Sequence, residues 1–279
     1  MENKNPDIYD PGDTNEPVLL TKTIDDLFNH IGNNQRLKIL GGCTRETMID
    51  GKAVTIRGIP ELCTVERRER FMEFGAGATL NKILELGKNK IPLVLYQAIK
   101  TIGTHSVRNL ATIGGNICAP GQKLTLWAPL LALDAKLEIK KSPLDSKIIP
   151  MSKFTEVPQK SILSKIRVPL SEWKMEIFQR VGPSSTIADT SASFAFLANV
   201  SHGKIDVARV VFAGIVLFHP TDLENEIIGE KVPIKKDDIN RLMKTAEKTY
   251  DDQFSNLNVN AILKTQFLNL LRACLERLS

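Results

Sequence analysis

Apolar and polar positions along this chain follow two rhythms. Up to about residue 170, short apolar runs alternate with stretches of helical spacing; beyond it, strand-like runs succeed one another and then give way to helices. Pro17 to Leu20 reads as a first strand. Thr23 caps a helix with Ile24, Leu27, Phe28 and Ile31 on one face, and Gly32 stops it. Leu37 to Leu40 is the next strand and ends at Gly41-Gly42, which predicts a β-α-β unit with a glycine turn at a strand end. Ala53–Arg57 and Phe71–Gly75 read as further strands, with Glu66 to Arg70 as a solvated hairpin tip. Thr79 caps a helix carrying Leu80, Ile83 and Leu84, and a second helix spans about Leu93–Ile102. Trp127–Leu133 reads as a buried helix, Lys136–Lys140 as a strand turning back through Pro143 to Ser146, and Ser161–Pro169 as another strand. Strands at Met175–Val181, Thr190–Val200 and Ile205–Ile215 predict an antiparallel meander with a turn at Ser201 to Lys204. Helices follow at Lys236–Lys248 and Asn260–Leu278, the last with Leu263, Phe267, Leu270, Leu271, Cys274 and Leu278 on a stripe that packs on the strands.

Composition narrows the class. The chain has 279 residues, 42% hydrophobic and 25% charged, as expected for a packed globular protein of one large or two modest domains. Residues 1–15 are polar and read as a loose arm. No apolar run approaches the roughly 20 residues of a membrane span, and Met1 to Asn5 lacks a signal-peptide pattern, so a cytoplasmic protein is expected. Net charge is +5, from 37 basic and 32 acidic residues, too mild and too evenly spread to argue for nucleic acid. Cys43, Cys63, Cys118 and Cys274 form no C-x-x-C pair. Their spacing fits neither a zinc site nor an iron–sulfur cluster, and no metal ligand set is expected.

The candidate chemistry lies in two glycine pairs. Ala111, Thr112 and Ile113 lead into Gly114-Gly115-Asn116; Leu40 leads into Gly41-Gly42, followed by Cys43, Thr44 and Arg45. A backbone without Cβ atoms approaches an anion closely, and free N–H groups there point at phosphate oxygens. Glycine pairs also occur in ordinary turns. Two of them, with Thr44, Thr112 and Asn116 as side-chain donors, suit the two halves of a pyrophosphate and so a dinucleotide. Neither fits G-x-G-x-x-G or a P-loop. His30 and His202 read as surface residues and His219 as a loop residue before a proline. His105, near the second pair, reads as structural more readily than as a ligand neighbour. No nucleophile–base arrangement or carboxylate pair is visible, so no catalytic residue is assigned, as suits a protein whose cofactor performs the chemistry.

The segment Arg108-Asn109-x-x-Thr112-Ile113-Gly114-Gly115-Asn116 resembles the second flavin motif of the FAD-binding medium subunit of molybdenum hydroxylases, the group of xanthine and carbon monoxide dehydrogenases. Leu40-Gly41-Gly42-Cys43-Thr44 resembles the first. Leu130 to Ala135 and Ser161 to Pro169 resemble the segments that follow, and residues 175–279 resemble the C-terminal domain in order and length. The resemblance implies an α+β fold: an FAD-binding domain of the vanillyl-alcohol oxidase and p-cresol methylhydroxylase type, made of two α/β subdomains, then an α+β domain with an antiparallel sheet and helices. The implied boundaries are 16–169 (subdomains about 16–58 and 59–169) and 170–279. The resemblance places Leu40 to Arg45 and Ala111 to Asn116 around the pyrophosphate and Leu163 beside the isoalloxazine. It implies a molybdopterin-binding large subunit and a 2Fe-2S small subunit as partners. Electrons would pass from the iron–sulfur clusters through FAD to NAD⁺ or another acceptor.

Two positions depart from the family pattern. Thr125 stands where an acidic residue is usual, and the loop from Cys118 to Leu124 lacks the usual serines and aspartate. Gln179 stands where several relatives have a lysine near the flavin. These departures keep open a docking subunit with a decayed flavin site. A stand-alone flavin oxidase is a third reading, set against the lack of any substrate base.

Overall fold

A computed structural model describes residues 18–34, 36–45, 49, 51–183 and 186–279. The arm expected at 1–15 and Pro17 of the first strand lie outside these residues. Among the described residues the strands form three sheets.

The first sheet contains β1 (Leu19–Leu20), β2 (Lys38–Leu40) and β3 (Ala53–Thr55), all parallel, in the order β1-β3-β2. The expected β-α-β unit is present, with β3 inserted between its two strands. Helix α1 (Ile24–Asn33) begins as its sequence dictates: the Thr23 hydroxyl accepts a hydrogen bond from the Asp26 N–H, and Asp25 and Asp26 favour the positive helix end. Leu27 and Ile31 pack on Val54, Ile56, Ile59 and Leu62. The helix runs one residue past Gly32. The stop comes instead from Asn34, whose amide donates to the His30 carbonyl at 2.9 Å.

The second sheet is antiparallel. Strands β4 (Val65–Arg67) and β5 (Phe71–Gly75) form the hairpin, with its tip at 68–70: Glu66 and Arg67, expected in the tip, pair with Glu73 and Met72 instead. Five helices follow: α2 (Leu80–Leu84), α3 (Leu93–Lys100), α4 (His105–Leu110), α5 (Ile113–Cys118) and α6 (Trp127–Ala132). The chain then returns as β6 (Lys136–Lys140), β7 (Ser146–Pro150) and β8 (Ile162–Pro169), giving the order β4-β5-β8-β6-β7. Met72, Phe74, Leu137, Ile166 and Val168 turn inward to meet Val94, Leu95, Ile113, Leu130 and Leu131.

On the opposite face Glu73 is buried. Lys165 Nζ donates to its Oε1 at 2.6 Å and Arg167 Nε to its Oε2 at 2.7 Å, while Arg167 also reaches Glu138 at 3.2 Å. Burial raises the Glu73 pKa, and the two cations together outweigh it, so the carboxyl titrates below its ordinary value. The stabilisation from this group is present above the unfolded-state value near 4.5 and is lost as pH falls through the depressed one. Glu73→Gln therefore costs about 2 kcal/mol at pH 7, a figure held down by the partial exposure of both cations. In urea unfolding the gap between variant and wild type closes below about pH 4; a gap independent of pH would refute the assignment.

The third sheet is the expected meander: β9 (Met175–Val181), β10 (Ala192–Ser201), β11 (Lys204–Ala213) and a short β12 (Leu217–Phe218), in the order β12-β11-β10-β9. His202 and Gly203, with φ of 50° and 70°, make the two-residue turn between β10 and β11. Helices α7 (Thr221–Ile227), α8 (Lys236–Phe254) and α9 (Ala261–Glu276) complete the chain. α8 outruns its expected end at Lys248 because Tyr250 and Phe254 extend the buried stripe of Ile239, Leu242, Met243 and Ala246. The α9 stripe packs on the strands as expected, Phe267 contacting Phe194, Phe212, Phe218 and Tyr250. The other face of this sheet, through Phe178, Ala195, Leu197, Val211 and Ala213, joins the core of the second sheet and its helices. No helix among the described residues is long and apolar enough to cross a membrane.

Candidate functional site

The two glycine segments meet in the fold. A Cβ on Gly42 would lie 1.8 Å from the Leu110 carbonyl oxygen, and one on Gly41 would lie 2.6 Å from Thr112 Oγ1. Gly41-Gly42 thus touches the backbone that leads into the second glycine pair, 70 residues further on. Only residues without a side chain permit this approach.

The second pair is not a turn. Gly114 and Gly115 stand in the first turn of α5, which Thr112 caps by accepting from the Gly115 N–H at 3.0 Å. The Ile113 N–H donates to the Ala78 carbonyl and the Gly114 N–H to the Ala76 carbonyl, at 3.1 and 2.9 Å. These donors, expected to be free for phosphate, are engaged within the protein. Gly114 serves close packing, since its Cβ would sit 2.6 Å from the Ala76 oxygen. In the first segment the main-chain N–H groups of Gly41 to Arg45 have no acceptor among the described residues. Cys43 adopts a left-handed φ of 51° there. Among the described residues, the anion donors left without a partner therefore belong to residues 41–45.

A cavity of about 670 Å³ opens between the segments. Gly41, Gly114 and Gly115 line it, with Ile31, Leu37, Ile39 and Ile56 from the first sheet and its helix. Cys118 to Gly121, Lys123 and the stretch from Phe154 to Leu163 complete the wall. Leu163 reaches the cavity through a β-bulge. Glu138 pairs with Lys165 and Ile139 with Leu163, leaving Ser164 as the extra residue. The Ser164 hydroxyl bonds to both the carbonyl and the carboxylate of Glu138, at 3.0 and 2.8 Å. Its carbonyl accepts from Ala76 N–H at 2.9 Å, tying the bulge to the same segment that anchors α5. Arg45 Nη1 donates to the Pro120 carbonyl at 3.3 Å, linking the first glycine segment to the loop after α5.

This wall fits FAD. Its volume lies in the range of ligand sites. Its aliphatic side chains suit a flat apolar ring, and the free N–H groups at 41–45 suit a diphosphate.

Not every expected site residue is brought to the cavity. Gly41, Gly114, Gly115 and Leu163 line it; Leu40, Ala111, Thr112 and Ile113 are buried behind it, and Gly42 is half-buried beside it. Cys43, Thr44 and Arg45 are exposed beside it. Thr112, expected as a ligand donor, is buried as a helix cap, and Asn116 uses its Oδ1 to accept from the Leu126 N–H at 3.0 Å. Thr125 does not line the cavity. Gln179 does not either: Phe178 beside it faces the core under α3 and α6, whereas Ile177 and Val181 pack with α8 and α9, so alternation turns Gln179 to that side. His105 lies outside the wall, in α4. Lys123, Ile39, Ile56 and the Phe154–Ser161 stretch line the cavity without having been expected. The exposure of Ile39 in β2 is visible only in the structure, and the irregular 154–161 stretch carries no motif.

Solved structures share this fold. A carbon monoxide dehydrogenase from Hydrogenophaga pseudoflava superposes with a TM-score of 0.75 over 94% of this chain and 96% of that one, at 17% identity. The quinoline 2-oxidoreductase of Pseudomonas putida 86 gives 0.71 over 94% and 95%, at 14% identity. Among curated proteins, the xanthine dehydrogenase FAD-binding subunit of Escherichia coli O157:H7 is 30% identical over 149 residues, half of this chain and half of that protein. The glyceraldehyde dehydrogenase medium chain of Sulfolobus acidocaldarius is 23% identical over 72% of this chain and 76% of its own length. The family pattern described as the FAD binding domain in molybdopterin dehydrogenase matches residues 13–171. With that match over more than half of its length, the chain belongs to the family of FAD-binding domains of molybdopterin dehydrogenases, and FAD is its cofactor.

Proposed function

We propose that this chain is the flavoprotein subunit of a cytoplasmic, multi-subunit molybdenum hydroxylase. A molybdopterin-binding large subunit would oxidise the substrate, and a 2Fe-2S small subunit would carry electrons to this chain for delivery to NAD⁺ or another acceptor. The observation that supports the reading is the cavity that gathers both glycine segments and Leu163. Bound FAD supplies the electron-carrying chemistry; the chain's own residues bind it and shield it. Residues 41–45 offer N–H groups to the diphosphate. Gly115 leaves room on the α5 side, and Leu163 with Ile39 and Ile56 offers apolar contact to the ring. The N-terminal 16–169 would form the flavin-binding domain, with its subdivision near 58, and 170–279 the second domain. That boundary is one of topology, since the core of the first continues into the second.

The docking alternative rests on the altered loop from Cys118 to Thr125 and on Gln179; Cys118 to Gly121 and Lys123 of that loop line the cavity, whereas Thr125 and Gln179 do not. The purified chain is expected to carry a flavin absorbance band, or to gain one on addition of FAD with near-stoichiometric uptake. A folded preparation that takes up no FAD would refute the reading in favour of docking. Co-purification with a molybdenum-containing chain separates it from a stand-alone flavin oxidase.

A further inference from the structure

FAD brings a diphosphate with two negative charges, and a cation beside neutral N–H donors lowers the cost of holding them against apolar walls. Among the described residues, the charged side chains in the cavity wall are Lys123, Glu156 and Lys160. Glu156 and Lys160 are exposed at the rim, where water and salt screen them. Lys123 is partly buried. Its Nζ lies 4.0 Å from the centre of the Trp127 ring, and no carboxylate among the described residues lies within ion-pair distance. Its place is set by the backbone: the Lys123 N–H donates to the Gly214 carbonyl, just after β11, at 2.7 Å. Trp127 is held in turn by its indole N–H on the Ile117 carbonyl and by stacking on Phe154, itself a wall residue.

We propose that Lys123 is a phosphate-binding residue of the flavin site, the counter-cation of the FAD diphosphate. The inference rests on the flavin reading above. An ammonium resting on an aromatic face is weakly held, by about 0.5–2 kcal/mol, so it is available to a stronger, charge-assisted partner. Burial pushes the Lys123 pKa down, and the nearby Glu156 carboxylate only partly offsets it. Lys123 also stands in the loop between Cys118 and Thr125, where the expected acidic character is missing. An acid lost and a cation present change the local charge in the direction a diphosphate favours.

Oxidised FAD carries negative charge only on its phosphates, so a charge-specific loss of affinity identifies the contact. FAD is titrated into wild type, Lys123→Met, which keeps the apolar stem over Trp127, and Lys123→Arg, at low and high sodium chloride. Lys123→Met is expected to weaken oxidised FAD about tenfold at low salt, with the gap narrowing as salt rises, and Lys123→Arg to stay within about threefold of wild type. Thermal unfolding of the ligand-free variants establishes that they are folded. Equal, salt-independent losses for Met and Arg would reduce Lys123 to a packing residue, and unchanged binding by a folded Met variant would remove it from the site. Failure of wild type to bind FAD overturns the flavin reading itself and is distinct from both.

Discussion

Gly42→Ala is expected to strip the chain of flavin. The added methyl would lie 1.8 Å from the Leu110 oxygen and 2.9 Å from the Ala111 nitrogen, both backbone atoms that cannot rotate away. Relief requires the first glycine segment to lift from the second. The same movement withdraws the free N–H groups of 41–45 from the cavity and strains the Arg45–Pro120 contact. Overpacking of this severity costs about 3 kcal/mol, which corresponds to roughly a hundredfold in FAD affinity if it falls on the bound state. Gly32→Ala is the matched control, because a Cβ there meets nothing within 4 Å. Flavin absorbance after gel filtration, read beside the thermal midpoint, tests the point. A Gly42→Ala protein that keeps its flavin would mean that the two segments are not coupled through this contact.

Phe267→Ala carries the largest expected loss of stability, about 3–5 kcal/mol. The ring is fully buried in α9, with centroid distances of 4.9 Å to Phe218, 5.8 Å to Phe212 and Tyr250, and 6.3 Å to Phe194. A cavity here loosens one face of the third sheet. The opposite face of that sheet, through Ala195, Leu197, Val211 and Ala213, belongs to the core that includes Leu163 and α6. Flavin release is therefore expected to fall in temperature together with global unfolding. Calorimetry and flavin fluorescence recorded in parallel decide it: two separated transitions, with release unchanged, would show that the C-terminal unit melts without the flavin site.

Elements whose signals are local were legible in the sequence. Thr23 and Thr79 cap helices where their spacing places them, because a cap is a contact across two or three residues. The strands β6, β8 and β9 fall within a residue of expectation, since alternation and bounding turns are also local. The end of α1 lies beyond Gly32, because the residue that closes it, Asn34, acts through a side-chain hydrogen bond rather than through glycine. The end of α8 lies beyond Lys248, because Asp251 and Asp252 interrupt the apolar pattern between the buried Tyr250 and Phe254. Helices α4 and α7 are short, at 6 and 7 residues, and are held by neighbours more than by pattern. The family was legible because the motifs occur in a fixed order along the chain.

The sequence by itself determined the family, the cofactor class and the two glycine segments, because each is written in residue types at short spacing. Tertiary structure alone decided which glycines face the ligand and which only let backbones touch. It showed that the Ile113 and Gly114 N–H groups of α5 are engaged by Ala78 and Ala76, whereas those of 41–45 have no acceptor among the described residues. It brought Lys123 into the wall and left Gln179 outside it. The physical reason is common to all of these: a donor is free, a cation faces a cavity, or a glycine is required only relative to atoms tens of residues away. That relation exists once the three sheets have packed.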